Sequence, residues 1–199
     1  GASNHSDVER SKLDYYGTDP RSTRALFENE MFDGRIWEPC AGHHLMVDVI
    51  KEFGYDVYAS DIAEYDGHQH DLINFLEYDS VWKDNIVTNP PYGISTEFAE
   101  KALKILQPGK KLAMFLRLQW LEGTGRYEKI FKDNPPKTVY IFSNRQASNK
   151  NDDFTVGSAV AYMWLVWEKG FIGNPQIKWI NTSKAKTDLT PEVEYTNLF

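Results

Sequence analysis

Arg35-Ile36-Trp37-Glu38-Pro39-Cys40-Ala41-Gly42 starts as a short strand and breaks off into a turn of small residues. Leu45, Met46, Val49 and Ile50 then recur at helical spacing, and Gly54 ends that helix. Asp56-Val57-Tyr58-Ala59-Ser60-Asp61 follows as a second strand. Strand, small-residue turn, helix and strand make the repeating unit of a parallel sheet. Upstream, Thr18-Asp19-Pro20 begins a helix with an oxygen-bearing cap and a proline in the first turn. It continues through Arg24-Ala25-Leu26-Phe27 to about Met31, and Asp33-Gly34 is a turn. Downstream, Asn85-Ile86-Val87-Thr88 is a strand stopped by Asn89-Pro90-Pro91. Phe98, Ala99, Ala102, Leu103 and Leu106 mark a helix ended by Pro108-Gly109, and residues 112–118 form an apolar strand of the kind covered on both faces. Residues 139–142 and 159–167 supply later strands, close together around a polar loop at 143–158. The expected architecture is α/β: a mostly parallel sheet with helices on both faces and an antiparallel edge hairpin.

A length of 199 residues, 41% hydrophobic and 14% aromatic, suits one domain with a real core. Gly1-Ala2-Ser3 lacks a methionine and reads as added sequence, so residues 1–13 are taken as that remnant plus a mobile segment, and residues 14–199 as a single domain. No apolar run approaches the roughly 18 residues needed to span a bilayer, so no membrane association is expected. The polar start is no signal peptide, and the single cysteine, Cys40, excludes an internal disulfide, which fits a reducing, cytoplasmic setting. The net charge of −7 counts against tight non-specific DNA binding but leaves room for a locally basic face.

Two sites carry chemistry. Glu38-Pro39-Cys40-Ala41-Gly42 ends the first strand, where a small-residue turn lets a ligand approach the backbone. Asp61 ends the second strand, where a carboxylate can accept both hydroxyls of a ribose. A glycine-containing turn with an acid about 20 residues later points to an adenosine-containing cofactor; the plainer reading is a tight turn and a surface aspartate. Asn89-Pro90-Pro91-Tyr92 follows a strand. The lone pair of an aromatic amine is delocalised into its ring, and a side-chain oxygen with a backbone carbonyl can each accept one amine hydrogen and localise it. Asn89 and Pro90 supply those acceptors, the prolines stiffen the turn, and Tyr92 can stack on an extruded base. The plainer reading is a strand-ending turn.

In this order, Tyr15-Tyr16-Gly17-Thr18-Asp19-Pro20, Trp37-Glu38-Pro39-Cys40-Ala41-Gly42, Ser60-Asp61-Ile62 and Thr88-Asn89-Pro90-Pro91-Tyr92 resemble the phage and prophage group of DNA N6-adenine methyltransferases. Leu116-Arg117-Leu118-Gln119-Trp120-Leu121-Glu122-Gly123, Arg126-Tyr127 and Ala161-Tyr162-Met163-Trp164-Leu165-Val166-Trp167 look like the same group, so the resemblance covers residues 14–170. It implies a Rossmann-like class I methyltransferase fold, S-adenosylmethionine as cofactor, a DNA substrate and methylation of adenine N6, in the host cytoplasm if the protein is phage-encoded. It also implies roles: Tyr16 and Thr18 at the amino-acid end of the cofactor, Glu38 near its ammonium, Pro39, Cys40, Ala41 and Gly42 around it, and Asp61 with Ile62 at the ribose and adenine. Asn89, Pro90, Pro91 and Tyr92 would form the catalytic loop that holds the target base. An acidic residue often found before the catalytic strand aligns with Asp71 or with Asn74, and both stay open.

The sequence departs from the group at His44, where a second glycine is usual. A histidine there either crowds the methionine pocket or points away from it. Crowding would leave a non-catalytic module with a DNA or, given the acidic charge, a protein partner. The same loop chemistry also suits an RNA adenine, a guanine N2 or a glutamine amide as acceptor. His43, His44, His68, His70 and Asp71 match no strong zinc spacing, and no metal is expected. Arg145, Gln146, Asn149 and Lys150 either contact nucleic acid or form a solvated loop.

Overall fold

The computed structural model describes residue 9, residues 15–149 and residues 151–182. Lys150, most of the expected N-terminal segment and all residues after Thr182 lie outside the described residues. The strands and the longer helices in chain order are β1 (Gly17–Thr18), α1 (Pro20–Asn29), β2 (Ile36–Glu38), α2 (Leu45–Glu52), β3 (Val57–Asp61), β4 (Asp71–Leu72) and β5 (Asn85–Thr88). They continue as α3 (Ser95–Ile105), β6 (Lys111–Arg117), β7 (Thr138–Phe142), β8 (Ser148–Asn149), β9 (Tyr162–Glu168) and β10 (Gln176–Ile180).

Eight strands form one sheet in the order β10-β7-β9-β6-β5-β2-β3-β4. All neighbours run parallel except β9, which is antiparallel to both β6 and β7. The expected hairpin is therefore β7–β9. β10, which is not among the strands expected from the sequence, adds to β7 outside it. The chain leaves β2 in two directions, through β3 and β4 on one side and through β5 and β6 on the other. Ligands of open α/β sheets bind at such a switch point, beyond the carboxyl ends of the strands.

Alternation along the strands builds two cores. Ile36, Val87, Ala113, Phe115, Trp164 and Val166 face α1 and α2, packing with Leu26, Phe27, Met46 and Ile50. Trp37, Ile86, Leu112, Met114, Leu165 and Trp167 face α3, packing with Phe98, Ala102 and Leu103. Asp19 caps α1 by accepting from the Arg21 amide at 2.9 Å, as the Thr-Asp-Pro start implies. Neither connection around β4 contains an α-helix. The sheet face there is covered instead by aromatic rings: Trp37 lies within 5.5 Å of the centroids of Tyr58, Phe75, Tyr78 and Trp82. Such ring contacts bury much apolar area with few residues, which is how the fold closes this side without a helical layer.

Candidate active site

A cavity of about 270 Å³ opens beyond the ends of β2, β3, β5 and β6. Tyr16, Thr18, Glu38, Cys40, Ala41 and Asp61 line one part of it; Asn89, Pro90, Pro91, Tyr92 and Arg117 line another. The two sites read separately in the sequence are thus walls of one space.

On the cofactor side, Asp61 is buried and fixes two loops at once. Its Oδ2 accepts from the Gly42 amide at 2.9 Å and its Oδ1 from the Ala63 amide at 3.0 Å. Burial raises the Asp61 pKa, and the bonds from Ala63 and Gly42 pull it back down. Each carboxylate oxygen keeps a further lone pair for a ligand. Gly42 has φ +49°, and a Cβ on it would collide with the Tyr15 ring, so only glycine fits the turn. Glu38, 2% exposed, accepts through Oε1 from Thr88 Oγ1 at 2.5 Å and from the Cys40 amide at 2.7 Å. Burial pushes its carboxyl up to about 8, against those two bonds and with added repulsion from Asp61. Burial also raises the Cys40 thiol pKa well above its ordinary value, which suits a small packing residue and not a nucleophile.

His44 settles the question its sequence position raised. It adopts the left-handed conformation a glycine would take, with φ 63° and ψ 18°, and its side chain is not part of the cavity wall. The ring turns outward to His70, with His44 Nε2 2.8 Å from His70 Nδ1 and His70 Nε2 2.8 Å from the Ala63 carbonyl. A carbonyl only accepts, so neutral His70 carries its proton on Nε2 and His44 Nε2–H donates to His70 Nδ1. Burial and the neighbouring His70 and His68 lower the His44 pKa and keep it neutral. The crowding alternative therefore does not occur. His44→Ala loses the bond and keeps the backbone strain, whereas His44→Gly loses both. The glycine variant is therefore expected to be more stable than the alanine variant by about 1 kcal/mol in urea denaturation.

On the acceptor side, Asn89 donates from Nδ2 to Thr18 Oγ1 at 2.9 Å and to the Tyr16 carbonyl at 3.3 Å. Because the Tyr16 carbonyl only accepts, the amide nitrogen must face it, which turns Oδ1 away and leaves it without a partner among the described residues. Tyr92 begins a single 3₁₀ turn ahead of α3 and is 51% exposed. The Arg117 guanidinium lies 3.8 Å from the centroid of its ring.

The polar loop after β7 crosses to the N-terminal segment. β8 pairs with β1, and Asp152 accepts from the Tyr15 hydroxyl at 3.1 Å and sits 2.7 Å from His43 Nδ1. Within this loop Gln146 is buried and bonded to Ser22 Oγ at 2.7 Å, so it braces the fold and does not reach a ligand. Arg145 is exposed.

Several expected site residues sit elsewhere. Asp71 is exposed on β4 and accepts from the Tyr58 hydroxyl at 2.7 Å, while Asn74 caps the turn Phe75–Glu77. Neither lines the cavity, nor do Pro39, Gly42 and Ile62, although the Gly42 amide is held by Asp61. Among the described residues no group of three or more His, Cys, Asp or Glu side chains is arranged to hold a metal ion. Tyr65 and Arg117 also line the cavity, and neither is expected there from the sequence motifs. Arg117 had a signal, a lone cation closing an apolar strand; Tyr65 lies in an irregular loop and had none.

No protein-family model matches the chain, and no curated protein is similar to it in sequence. Solved structures do match. One is the M protein of the type I restriction enzyme EcoKI (EC 2.1.1.72), at 14% identity and TM-score 0.56, covering 84% of this chain and 48% of that one. A second is the Thermus thermophilus 16S rRNA N2 G1207 methyltransferase, solved with AdoMet and guanosine, at 15% identity and TM-score 0.51, covering 79% and 40%. A third, from Listeria monocytogenes and provisionally described as a class I S-adenosylmethionine-dependent methyltransferase, matches at 14% identity and TM-score 0.56, covering 82% and 63%. This chain thus spans less than two-thirds of the length of each. What they share with it is the architecture, a mostly parallel α/β sheet with an antiparallel hairpin: the Rossmann-like class I methyltransferase fold.

Proposed function

We propose that the protein transfers a methyl group from S-adenosylmethionine to the N6 amino group of adenine in DNA. The observation that carries this reading is the Asn89 amide, pinned through Nδ2 with Oδ1 left free, in the same cavity as Asp61 and Glu38.

The residues fit the cofactor. Glu38 keeps Oε2 free of the bonds that hold Oε1 and is suited to an ammonium, Tyr16 and Thr18 line the same part of the cavity, and Asp61 offers two oxygens to a ribose diol. When bound, S-adenosylmethionine supplies an electrophilic methyl group. Asn89 Oδ1 and the Pro90 carbonyl accept the two amine hydrogens and so concentrate the nitrogen lone pair along one direction. Tyr92 stacks on the base. The amine is neutral, so no residue need remove a proton beforehand, and water takes the proton that the methylated nitrogen sheds.

A restriction-enzyme M protein and an rRNA guanine-N2 methyltransferase share the fold, so the acceptor is decided by experiment. Labelled donor is offered with DNA, RNA and a glutamine peptide in parallel. Label in N6-methyladenine from DNA is the expected result; label confined to RNA or peptide refutes the DNA assignment. No label anywhere would favour a binding module on this scaffold.

A further inference from the structure

Arg117 closes β6, next to β5, the strand that leads into Asn89-Pro90-Pro91-Tyr92. Two independent observations set it apart. Its guanidinium carbon lies 3.8 Å from the centroid of the Tyr92 ring, well inside the roughly 6 Å over which a cation attracts an aromatic face. The Tyr92 ring is half-exposed, and its hydroxyl has no hydrogen-bond partner among the described residues, so this stack fixes the plane of the ring. Secondly, Arg117 Nε is shielded from solvent and has no hydrogen-bond partner among the described residues. A buried donor without an acceptor is costly and uncommon in folded proteins, so a guanidinium kept here despite that cost is kept for its stack on Tyr92. Both residues line the cavity that holds Asn89.

We propose that Arg117 positions the methyl acceptor: it backs one face of the Tyr92 ring and so holds that ring in the plane whose opposite face takes a planar base. This inference rests on the acceptor site described above and narrows its substrate class. Adenine meets this demand with a planar ring to stack. An aliphatic amide has no ring to stack. Because the base must present a face to the Tyr92 ring, it is bound out of the helical stack, from single-stranded or locally opened nucleic acid.

The test uses the full chain and its Arg117→Lys, Arg117→Met and Arg117→Ala variants. The probes are a single-stranded deoxyoligonucleotide with one 2-aminopurine, read by fluorescence quenching, and its adenine counterpart, read by label transfer. The methionine variant keeps length without charge or donors. Expected results are at least about a 30-fold fall in kcat for the methionine and alanine variants, a smaller fall for lysine, and quenching lost in parallel. Cofactor affinity by calorimetry and the melting temperature stay at native values. The proposal is overturned if the methionine and alanine variants quench and turn over within threefold of native, or if their losses track a matching loss of cofactor affinity or of melting temperature. If the native protein methylates no oligonucleotide, the functional reading fails and quenching alone decides. Quenching by the native protein that Arg117→Met abolishes upholds the role, and equal or absent quenching in both removes it.

Discussion

Glu38→Gln is expected to make the ligand-free protein more stable at pH 8 and to weaken S-adenosylmethionine binding by about 100-fold or more. Both effects come from one buried carboxyl. With its folded pKa raised to about 8 from an ordinary 4.5, Glu38 stays protonated in the native state over a range where the unfolded chain has released the proton. That contribution is fully present below the unfolded value and is lost as pH rises through the folded one. Stability therefore falls between pH 4.5 and 8, by up to about 1.4 kcal/mol per pH unit. Glutamine keeps an oxygen for Thr88 and Cys40 and carries no titration, so that slope disappears. For a chain of this size each kcal/mol recovered raises the melting temperature by about 2–4 °C. An ammonium beside Glu38 selects the carboxylate, so native affinity should rise with pH up to about 8, by up to about tenfold per unit, and the variant should lose this dependence. Calorimetry at pH 6, 7 and 8 and thermal melts at the same values decide the matter. A variant that binds like the native protein excludes Glu38 as the ammonium partner.

The pairing of the two sites is legible in the amino-acid sequence because strand ends are visible there. Glu38, Asp61 and Thr88 each close an apolar run, and a parallel sheet gathers such ends at one edge. The strand β10 is not legible in the same way. Gln176-Ile177-Lys178-Trp179-Ile180 alternates, but Ile177 and Trp179 are more than half exposed while Lys178 packs over the Tyr140 ring. Its pattern is thus inverted relative to a strand covered on its apolar face. The two-residue pairing of β1 with β8 leaves no periodicity at all. Asp71 and Asn74 cannot be separated from their neighbours by pattern because residues 62–84 hold only a two-residue strand, a short turn and the Trp37 aromatic cluster. Residue type alone does not decide His44. Its backbone obeys the glycine rule, and only the ring's partner, His70, shows that the side chain leaves the cavity free.

Asn89→Ala is expected to lower kcat for methyl transfer by about 10²–10³-fold, the range found when one preorganised polar contact to a reacting centre is deleted. The loss falls on the chemical step because Oδ1, the free end of the amide, is removed while the base platform at Tyr92 stays. Alanine also deletes the Nδ2 bonds to Thr18 and Tyr16, and both of those residues line the cofactor side of the cavity. A modest weakening of cofactor binding, within about fivefold, is therefore expected alongside. Asn89→Asp separates the two contributions. It keeps an acceptor toward the amine and can still take a hydrogen bond from the Thr18 hydroxyl, but it faces the Tyr16 carbonyl with oxygen in place of nitrogen. It should keep kcat within about tenfold of native while loosening the N-terminal segment. Single-turnover rates with saturating donor isolate the chemical step from binding. If alanine and aspartate lose activity equally and their cofactor affinities collapse together, Asn89 is a strut for residues 15–18 and the amine has another acceptor. If alanine alone loses the rate, with cofactor binding nearly intact, the amide oxygen is the group that aims the lone pair.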